Sequence, residues 1–195
     1  MAFWNDTSVE PKRGFRWLLY LEGAASTIPT YVIKVAKKPS FTVSNNTHQF
    51  IAHTFNYPGR ITWNPVSVTM VDPVDPDASR KLVEVLMAAG YKIPSNFQSG
   101  KQSFSRANAV RAFGTPRLTQ LNADGAQIEE WSLKNAWVES VDFGNLDYSS
   151  EEMVNVEMSI RYDWAEYRSY AGGSEEGPGH GPELGVVDVL TSGND

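Results

Sequence analysis

The stretch VNVEMSIRYDW, from Val154 to Trp164, alternates strictly between apolar and polar side chains. Successive side chains of a β-strand point to opposite faces of the sheet, so this period of two predicts a strand with one face on a core. The apolar face carries Val154, Val156, Met158, Ile160, Tyr162 and Trp164, and the polar face carries Asn155, Glu157, Ser159, Arg161 and Asp163. The stretch therefore predicts a mostly β fold in which this strand is half buried.

Other strands are predicted on both sides of this stretch, from short apolar or β-branched runs bounded by turn signals. They are Phe15–Leu21, Tyr31–Ala36, Phe41–Ser44, His48–Asn56, Arg60–Val71, Asn108–Phe113, Arg117–Leu121 and Gln127–Val138. The turn Asn122–Ala126 predicts a hairpin between the last two. Pro65 interrupts the alternation of Arg60–Val71, and because proline cannot donate to a ladder, it predicts a bulge or an edge position.

An extended hairpin is predicted between about Lys38 and Tyr57. Asparagine tolerates left-handed backbone and bonds to its own main chain, so the tip is placed near Asn45-Asn46-Thr47. Tyr57-Pro58-Gly59 predicts a second turn.

One helix is predicted, over about residues 76–89. Asp75 is a suitable N-cap, Pro76 suits the first helical position, and Gly90 is placed to end the helix. The residues that recur at helical spacing are Ala78, Leu82, Val85, Leu86 and Ala89. A helix with a single apolar stripe has one face to bury, so we expect it to flank a sheet.

The composition is that of an ordinary globular protein and excludes several classes of function. The chain has 195 residues, of which 41% are hydrophobic, and it contains no Cys. The absence of Cys removes disulfides, thiolate nucleophiles and Cys-based zinc sites. No apolar run approaches about 18 residues and the N-terminal residues lack a signal-peptide core, so neither a membrane segment nor export is predicted.

No catalytic, metal or cofactor site is predicted from the spacing of residues. His48 and His53 lie five apart in a predicted strand, so they face opposite sides and cannot chelate one metal together. The carboxylates between Asp72 and Asp77 do not have the spacing of a calcium loop, and a strand that leads into an N-capped helix explains them better. Neither a Gly-x-Ser-x-Gly nucleophile elbow nor a phosphate-binding glycine loop occurs.

The formal net charge of −6 is distributed unevenly along the chain. Residues 1–117 carry 14 basic and 7 acidic side chains, residues 118–164 carry 2 and 10, and residues 165–195 carry 1 and 6. Two interpretations remain open: solvated faces that differ by chance, or one basic and one acidic surface that suit head-to-tail self-association. The overall acidity argues against a free-standing nucleic-acid-binding protein.

We expect the chain to have three parts. Residues 1–13 form an N-terminal arm whose aromatic side chains, Phe3 and Trp4, dock on another surface. Residues 14–168 form the β domain. Residues 169–195 are acidic and rich in Gly and Pro, and we expect them to form a flexible extension.

Several segments together resemble the tail tube proteins of contractile-tailed bacteriophages. They are LKNAWV (Leu133–Val138), FGNLDY (Phe143–Tyr148), the alternating strand Glu152–Trp164, PGRITW (Pro58–Trp63) and PKRGFRW (Pro11–Trp17). The resemblance rests on the order and spacing of these segments, and it covers about residues 11–166.

This resemblance implies a β-sandwich or barrel with one flanking helix, whose subunits form hexameric rings that stack into a hollow tail tube. DNA passes through the lumen into the host without specific binding. The implied partners are further copies of the chain, a tail sheath protein outside, and the baseplate and tail terminator at the ends. No cofactor or enzymatic activity is implied, and the implied location is the virion, with assembly in the host cytoplasm.

The resemblance also implies roles for three sets of residues. The ring-stacking loop consists of Ser44, Asn45, Asn46, Thr47 and His48. Phe3 and Trp4 of the arm form a second stacking contact. The lumen-facing row consists of Asn155, Glu157, Ser159, Arg161 and Asp163.

Three alternatives remain open at the level of the sequence. The chain after Arg168 is longer than the core of the family needs, which suits a baseplate tube-initiator paralogue or the tube of a phage-like contractile injection system. From a different class, a monomeric β-barrel module could use its Trp and Tyr side chains to bind a carbohydrate or peptide ligand.

Overall fold

The computed structural model describes residues 10–25, 27–92 and 103–170, and its architecture is mostly antiparallel β-sheet. The strands are β1 (Trp17–Glu22), β2 (Thr27–Ile28), β3 (Ile33–Ala36), β4 (Ser40–Phe50), β5 (His53–Asn64), β6 (Val66–Val71), β7 (Arg117–Leu121), β8 (Gln127–Lys134), β9 (Trp137–Asp142), β10 (Asn155–Arg161) and β11 (Trp164–Ser169). The helices are α1 (Ala78–Ala88) and α2 (Arg106–Phe113), and a short 3₁₀ turn spans Thr30–Val32. The prediction of a mostly β fold is confirmed.

Two sheets bury their apolar faces in a common core. Sheet I has the strand order β11-β8-β7-β1-β2, sheet II has the order β3-β6-β10-β9, and β4 and β5 form a separate hairpin. The core residues from sheet I include Leu19, Leu21, Leu118 and Leu133, and those from sheet II include Val66, Val68, Met70, Val156, Met158 and Ile160. A sandwich of this kind lets each sheet cover the apolar face of the other.

The alternating stretch Val154–Trp164 forms β10 and the start of β11. The apolar residues of β10 are fully buried, as the alternation predicts, and they are Val156, Met158 and Ile160. The stretch is not one straight strand, because the chain bends at Tyr162-Asp163 and passes from sheet II into sheet I. A matching bend at Asn135-Ala136 joins β8 to β9, and the Asp163 N–H donates to the carbonyl of Lys134 over 3.0 Å. The paired bends form a corner between the two sheets.

Helix α1 begins at Ala78, two residues later than predicted. Its N-cap is Asp77 rather than Asp75, because the Asp77 carboxylate accepts a hydrogen bond from the N–H of Arg80 over 2.7 Å. Asp72 accepts a second hydrogen bond from the N–H of Ala78 over 3.0 Å. The predicted apolar stripe is buried at Ala78, Leu82, Val85 and Ala89, whereas Leu86 is exposed. The carboxylates of this segment therefore cap a helix, as the sequence indicates.

Residues Arg106–Phe113 form helix α2, so the strand predicted at Asn108–Phe113 is wrong. The described residues contain two flanking helices instead of the one predicted. Ser105 caps α2 by accepting a hydrogen bond from the N–H of Asn108 over 3.2 Å, and Gly114 ends it with a φ of +77°. The cap, the terminal glycine and the helix-favouring Ala and Arg residues outweigh a short apolar run that resembles a strand.

Strands β4 and β5 form one long hairpin, whose tip lies at Ile51-Ala52 and not near Asn45-Asn46-Thr47. The segment Ser44–His48 is therefore part of a strand and not a loop, and the predicted second turn lies inside β5. The Asn45 side chain donates to the Asn56 Oδ1 atom over 2.9 Å. Cross-strand pairing along the whole hairpin outweighs the local turn preference of asparagine.

The chain leaves this hairpin at Pro65, which separates β5 from β6. The alternation of Arg60–Val71 is interrupted there, as predicted, and the chain then enters sheet II. The arm residues Phe3 and Trp4 and residues 171–195 of the extension lie outside the described residues.

Candidate assembly surfaces

The hairpin β4–β5 projects from the body with almost all of its side chains exposed. Its base meets the body at Trp63, whose ring lies 5.9 Å from that of the core residue Tyr162. From Pro39 to Gly59 the sequence contains no Asp, Glu, Lys or Arg. The large apolar side chains exposed here are Phe41, Val43, Phe50, Ile51, Phe55, Tyr57 and Ile61. An exposed strand pair of this composition is typical of an interaction surface.

The two halves of the hairpin carry these apolar side chains on opposite faces. At the base, Phe41 pairs with Trp63 and Val43 pairs with Ile61, and the rings of the first pair are 5.3 Å apart. The register shifts just after Val43. The apolar side chains beyond the shift are those of Phe50, Phe55 and Tyr57, and they lie on the other face because side chains alternate along a strand. The hairpin therefore presents apolar surface in two opposite directions.

His48 and His53 lie on the same face of the hairpin, so the prediction that they face opposite sides is wrong. His48 pairs with Phe55, and Phe50 pairs with His53, which places all four side chains on one face. The turn at Ile51-Ala52 reverses the chain between the two histidines. Counting residues along a single strand cannot reveal this reversal.

The base of the hairpin is tied to sheet I through the carboxylate of Glu129. The side chain of Glu129 is only 4% exposed, and both Lys12 and Lys38 donate hydrogen bonds to it. Lys38 also donates to the Gln120 Oε1 atom over 2.5 Å. Burial alone would raise the pKa of Glu129, but the hydrogen bonds from the two lysines outweigh it, and the pKa lies below its ordinary value. An ionised Glu129 therefore connects the N-terminal segment, the hairpin base and the sheet.

The outer face of sheet II is polar and acidic. Four residues of the predicted row lie on this face of β10, namely Asn155, Glu157, Ser159 and Arg161. The Arg161 guanidinium donates to Glu139 of β9 through Nε at 3.1 Å and Nη2 at 2.5 Å. Glu157 pairs directly with Asp142. On β9 and β10 this face thus carries three carboxylates against one guanidinium.

Asp163, the fifth residue of the predicted row, lies at the bend between β10 and β11. Its Oδ2 atom accepts a hydrogen bond from the Asn135 side chain over 2.7 Å and another from Arg106 of α2. The structure therefore separates Asp163 from the other four residues.

The outer strands of sheet II are β3 and β9. An outer strand presents unpaired N–H and C=O groups along one side, so it can pair with a strand of another molecule. Strand β9 of one copy can therefore pair with β3 of another copy, and the same contact can repeat from copy to copy.

The loop between β9 and β10, residues 143–154, lines an open cavity of about 630 Å³. Asp142 accepts from the N–H of Gly144 over 2.9 Å, and Asp147 accepts from the N–H and the hydroxyl of Ser149, both over 2.8 Å. These bonds from Ser149, the N–H first, lower the pKa of Asp147. The exposed apolar side chains of the loop are Phe143, Leu146, Tyr148 and Met153. Local hydrogen bonds thus shape the loop while its apolar side chains stay accessible.

The amino-acid sequence predicted the hairpin, but it predicted neither the position of the hairpin tip nor the β9–β10 cavity. The uncharged stretch from Pro39 to Gly59 was a signal for an exposed interaction surface. The loop offers no comparable signal, because the sequence of Val141–Leu146 predicts a short strand or a turn equally well.

Residues 10–25, 27–92 and 103–170 contain neither a metal-binding cluster nor a membrane-spanning helix. No group of three or more His, Asp or Glu side chains in these ranges is placed to hold a metal ion. None of the helices in the same ranges combines the length and the apolar character needed to cross a bilayer.

No protein-family model matches the sequence, and no curated protein is significantly similar to it. Solved structures do share its fold. A chain of the six-fold symmetrised baseplate of the anti-feeding prophage has a TM-score of 0.60 at 12% identity, covering 83% of this chain and 97% of that one. A chain of the tube-terminating cap of the same prophage has a TM-score of 0.60 at 17% identity, covering 84% and 95%.

A chain of the extended sheath–tube complex of the extracellular contractile injection system PVC has a TM-score of 0.56 at 12% identity, covering 82% and 92%. At these identities the likeness establishes the fold. The resemblance in fold to tube proteins that the sequence predicts is confirmed.

Proposed function

We propose that the chain is a structural subunit that forms rings, and that these rings stack into the hollow tube of a contractile tail or injection particle. The observation that carries the proposal is the hairpin β4–β5, which is uncharged from Pro39 to Gly59, apolar on both faces and exposed. Such a surface is a liability in a monomer and normal in a subunit interface. The fold shared with chains of a tube-terminating cap and a sheath–tube complex supports the proposal.

The rings, hexameric as in the tube proteins that the sequence resembles, close through the outer strands of sheet II. Strand β9 of one copy pairs with β3 of the next, so the sheets of all copies join into one continuous barrel. This pairing satisfies the backbone groups that both edges otherwise leave to water.

The polar outer face of sheet II lines the lumen in this arrangement. Asn155, Glu157, Ser159 and Arg161 form its central row, and Asp163 lies at the corner beside them. On β9 and β10 this lining has three carboxylates and one guanidinium, Arg161, which is already paired with Glu139, so it offers little that would release counterions from a phosphate backbone. DNA therefore passes through without being held.

Stacking between rings uses the hairpin, including Ser44–His48 as part of β4, with Phe3 and Trp4 of the arm as a second contact. The sheath protein covers the outside of the tube, and the baseplate and tail terminator contact its ends. The subunit itself has no catalytic role, and it acts in the assembled virion or injection particle after assembly in the host cytoplasm.

A second function within the same class is a ring that begins or ends the tube. The similar folds of a baseplate chain and a tube-terminating cap chain favour it. Copy number per particle separates the two functions, since a tube protein occupies many rings and an initiator or cap occupies one.

The proposal is tested with the purified full-length chain, by negative-stain electron microscopy and native mass spectrometry. We expect six-fold rings or tubes. A 21.7 kDa monomer at every concentration, together with binding of a carbohydrate or peptide, would contradict the proposal and favour the monomeric binding module.

A further inference from the structure

We infer that the tip of the hairpin, with Ile51 as its anchor, inserts into the β9–β10 cavity of another copy of this chain. The contact joins successive rings, so the inference rests on the proposed function and adds to it the receiving surface. Because the contact involves only two copies of the chain, it can be tested separately from ring formation.

The first observation is the backbone of Ile51, which has a φ of +54° and a side chain that is 92% exposed. A β-branched residue is strained in this region, and glycine or asparagine is the usual choice in a two-residue hairpin turn. Within the isolated chain no burial of the Ile51 side chain compensates for this strain, because the side chain is exposed to water. A partner that buries this side chain explains why isoleucine occupies the turn.

The second observation is that the base of the hairpin and the cavity lie at opposite ends of the same strands. In the antiparallel pair β6–β10, Val66 lies opposite Ile160, and Asn155 lies opposite Val71. The hairpin leaves sheet II at the Val66 end, and the loop enters it at the Asn155 end. A projection at one end and a cavity at the other form a heterologous contact, which repeats from copy to copy without closing.

The third observation is the chemistry of the cavity. Asn155 is among the residues that line it, and the Asn155 Oδ1 atom is buried without a hydrogen-bond partner among the described residues. A buried acceptor without a donor is unfavourable. The N–H groups of Ile51 and Ala52 lie in the turn, outside the ladder of β4 and β5, so an inserted tip brings backbone donors to this oxygen.

The charges also agree with insertion. The carboxylates of Asp147 and Glu152 lie among the residues that line the cavity. The tip brings no carboxylate to meet them, because its sequence is uncharged from Pro39 to Gly59. Insertion therefore buries apolar side chains of the tip without like-charge repulsion.

Disulfide trapping tests the contact directly, because the natural chain contains no Cys. An affinity-tagged Ile51→Cys chain is mixed with an untagged Met153→Cys chain under mild oxidation, and the mixed disulfide is quantified by mass. The matched control replaces Met153→Cys with Asp124→Cys, which lies in the exposed β7–β8 turn at the hairpin end of the body. We expect roughly ten-fold more mixed disulfide for residues 51 and 153 than for the control, the effect of one specific buried anchor.

A yield no higher than that of the control overturns the inference. The inference is also overturned if something other than the hairpin tip occupies the cavity. The alternative occupant to exclude is the apolar segment Val186–Leu190 of the same chain. An intrachain disulfide in a Met153→Cys, Val187→Cys variant, without any link to residue 51, identifies that segment as the occupant.

Ile51→Gly and Ile51→Asn provide the second test, because both residues relieve the positive φ. We expect folded subunits at least as stable as the natural chain, rings of unchanged size, and a polymerised fraction lower by roughly ten-fold or more. Normal tubes from both variants contradict the inference and leave the proposed function intact. If the natural chain forms no rings, the proposed function fails, and the disulfide yield alone decides the inference.

Discussion

The strand pairs β9–β10 and β4–β5 are both antiparallel, but they use their apolar side chains differently. In β10, Val156, Met158 and Ile160 are fully buried against sheet I. In β4–β5, the apolar side chains occupy both faces and are exposed. The first pair is stabilised within the chain, whereas the second leaves its apolar area for another molecule. Substitutions in the first pair should therefore affect folding, and substitutions in the second should affect assembly.

The largest expected effect is in β10. Ile160→Ala removes a fully buried side chain, and we expect the free energy of unfolding to fall by about 2–5 kcal/mol. The matched variant in the hairpin is Ile61→Ala, where the side chain is 61% exposed, and we expect a loss below about 0.5 kcal/mol. Chemical denaturation of both variants measures the difference. Equal losses would show that the hairpin is buried within the chain and would remove the contrast.

The next effect concerns Glu129, which connects the hairpin base to the body. Glu129→Gln leaves Lys12 and Lys38 without their carboxylate, and we expect a loss of about 1–3 kcal/mol at neutral pH. The exposed Glu84, which pairs with Arg80 over 3.1 Å, supplies the control, since Glu84→Gln should cost no more than about 0.5 kcal/mol.

The same variant has a defined pH dependence. The folded pKa of Glu129 lies below its ordinary value of 4.5, so the ionised group stabilises the fold above that pH. The stabilisation is lost as the pH falls from 4.5 through the folded pKa, and the difference between the natural chain and Glu129→Gln should shrink over this window. A difference that is constant with pH, measured by urea denaturation, would show that the carboxylate charge is not what stabilises the base.

A smaller effect is expected on the outer face of sheet II. Arg161→Gln removes a partly exposed ion pair with Glu139, and we expect a loss of about 0–1 kcal/mol that disappears at high salt. Under the proposed function this face lines the lumen and makes no contact between subunits, so we expect tubes still to form. Denaturation at two salt concentrations and electron microscopy check both points. Failure of the variant to assemble would place this face in an interface instead.

A comparably small effect on stability is expected from shortening the hairpin. Residues 44–60 are replaced by Asn-Gly, which joins the directly paired Val43 and Ile61 through a two-residue turn. We expect the free energy of unfolding to stay within about 1 kcal/mol of that of the natural chain, while tubes are lost. Deleting Ser44–His48 alone should also stop polymerisation, but it leaves the opposite strand unpaired. Normal tubes from the shortened chain would contradict the role of the hairpin in stacking.

Local periodicity predicted much of the fold. The alternation of Val154–Trp164 identified the buried face of β10, and the stripe from Ala78 to Ala89 identified the buried face of α1. Both succeed because the faces of a strand or helix follow from residue spacing alone. The turn Asn122–Ala126 between β7 and β8 was predicted for the same local reason, since the Asn122 side chain bonds the N–H groups that follow it.

The candidate site was predicted less completely. The sequence indicated the hairpin, but it placed the tip near Asn45-Asn46-Thr47, because asparagine has a strong local preference for turns. The structure shows that the ladder continues to Phe50 and His53, so the tip is the strained and exposed Ile51. The turn preference of the two asparagines is a small local contribution. The many cross-strand pairs of the continuous ladder together stabilise the extended hairpin more.

What the sequence determined by itself was therefore the class of fold and the buried side of β10 and of α1. The tertiary structure alone decided that Lys12, Lys38 and Glu129 meet, that His48 and His53 share a face, and that the base of the hairpin and the β9–β10 cavity lie at opposite ends of sheet II. The physical reason is distance along the chain. Spacing specifies neighbours a few residues apart, whereas these arrangements depend on which strands pair and in which register.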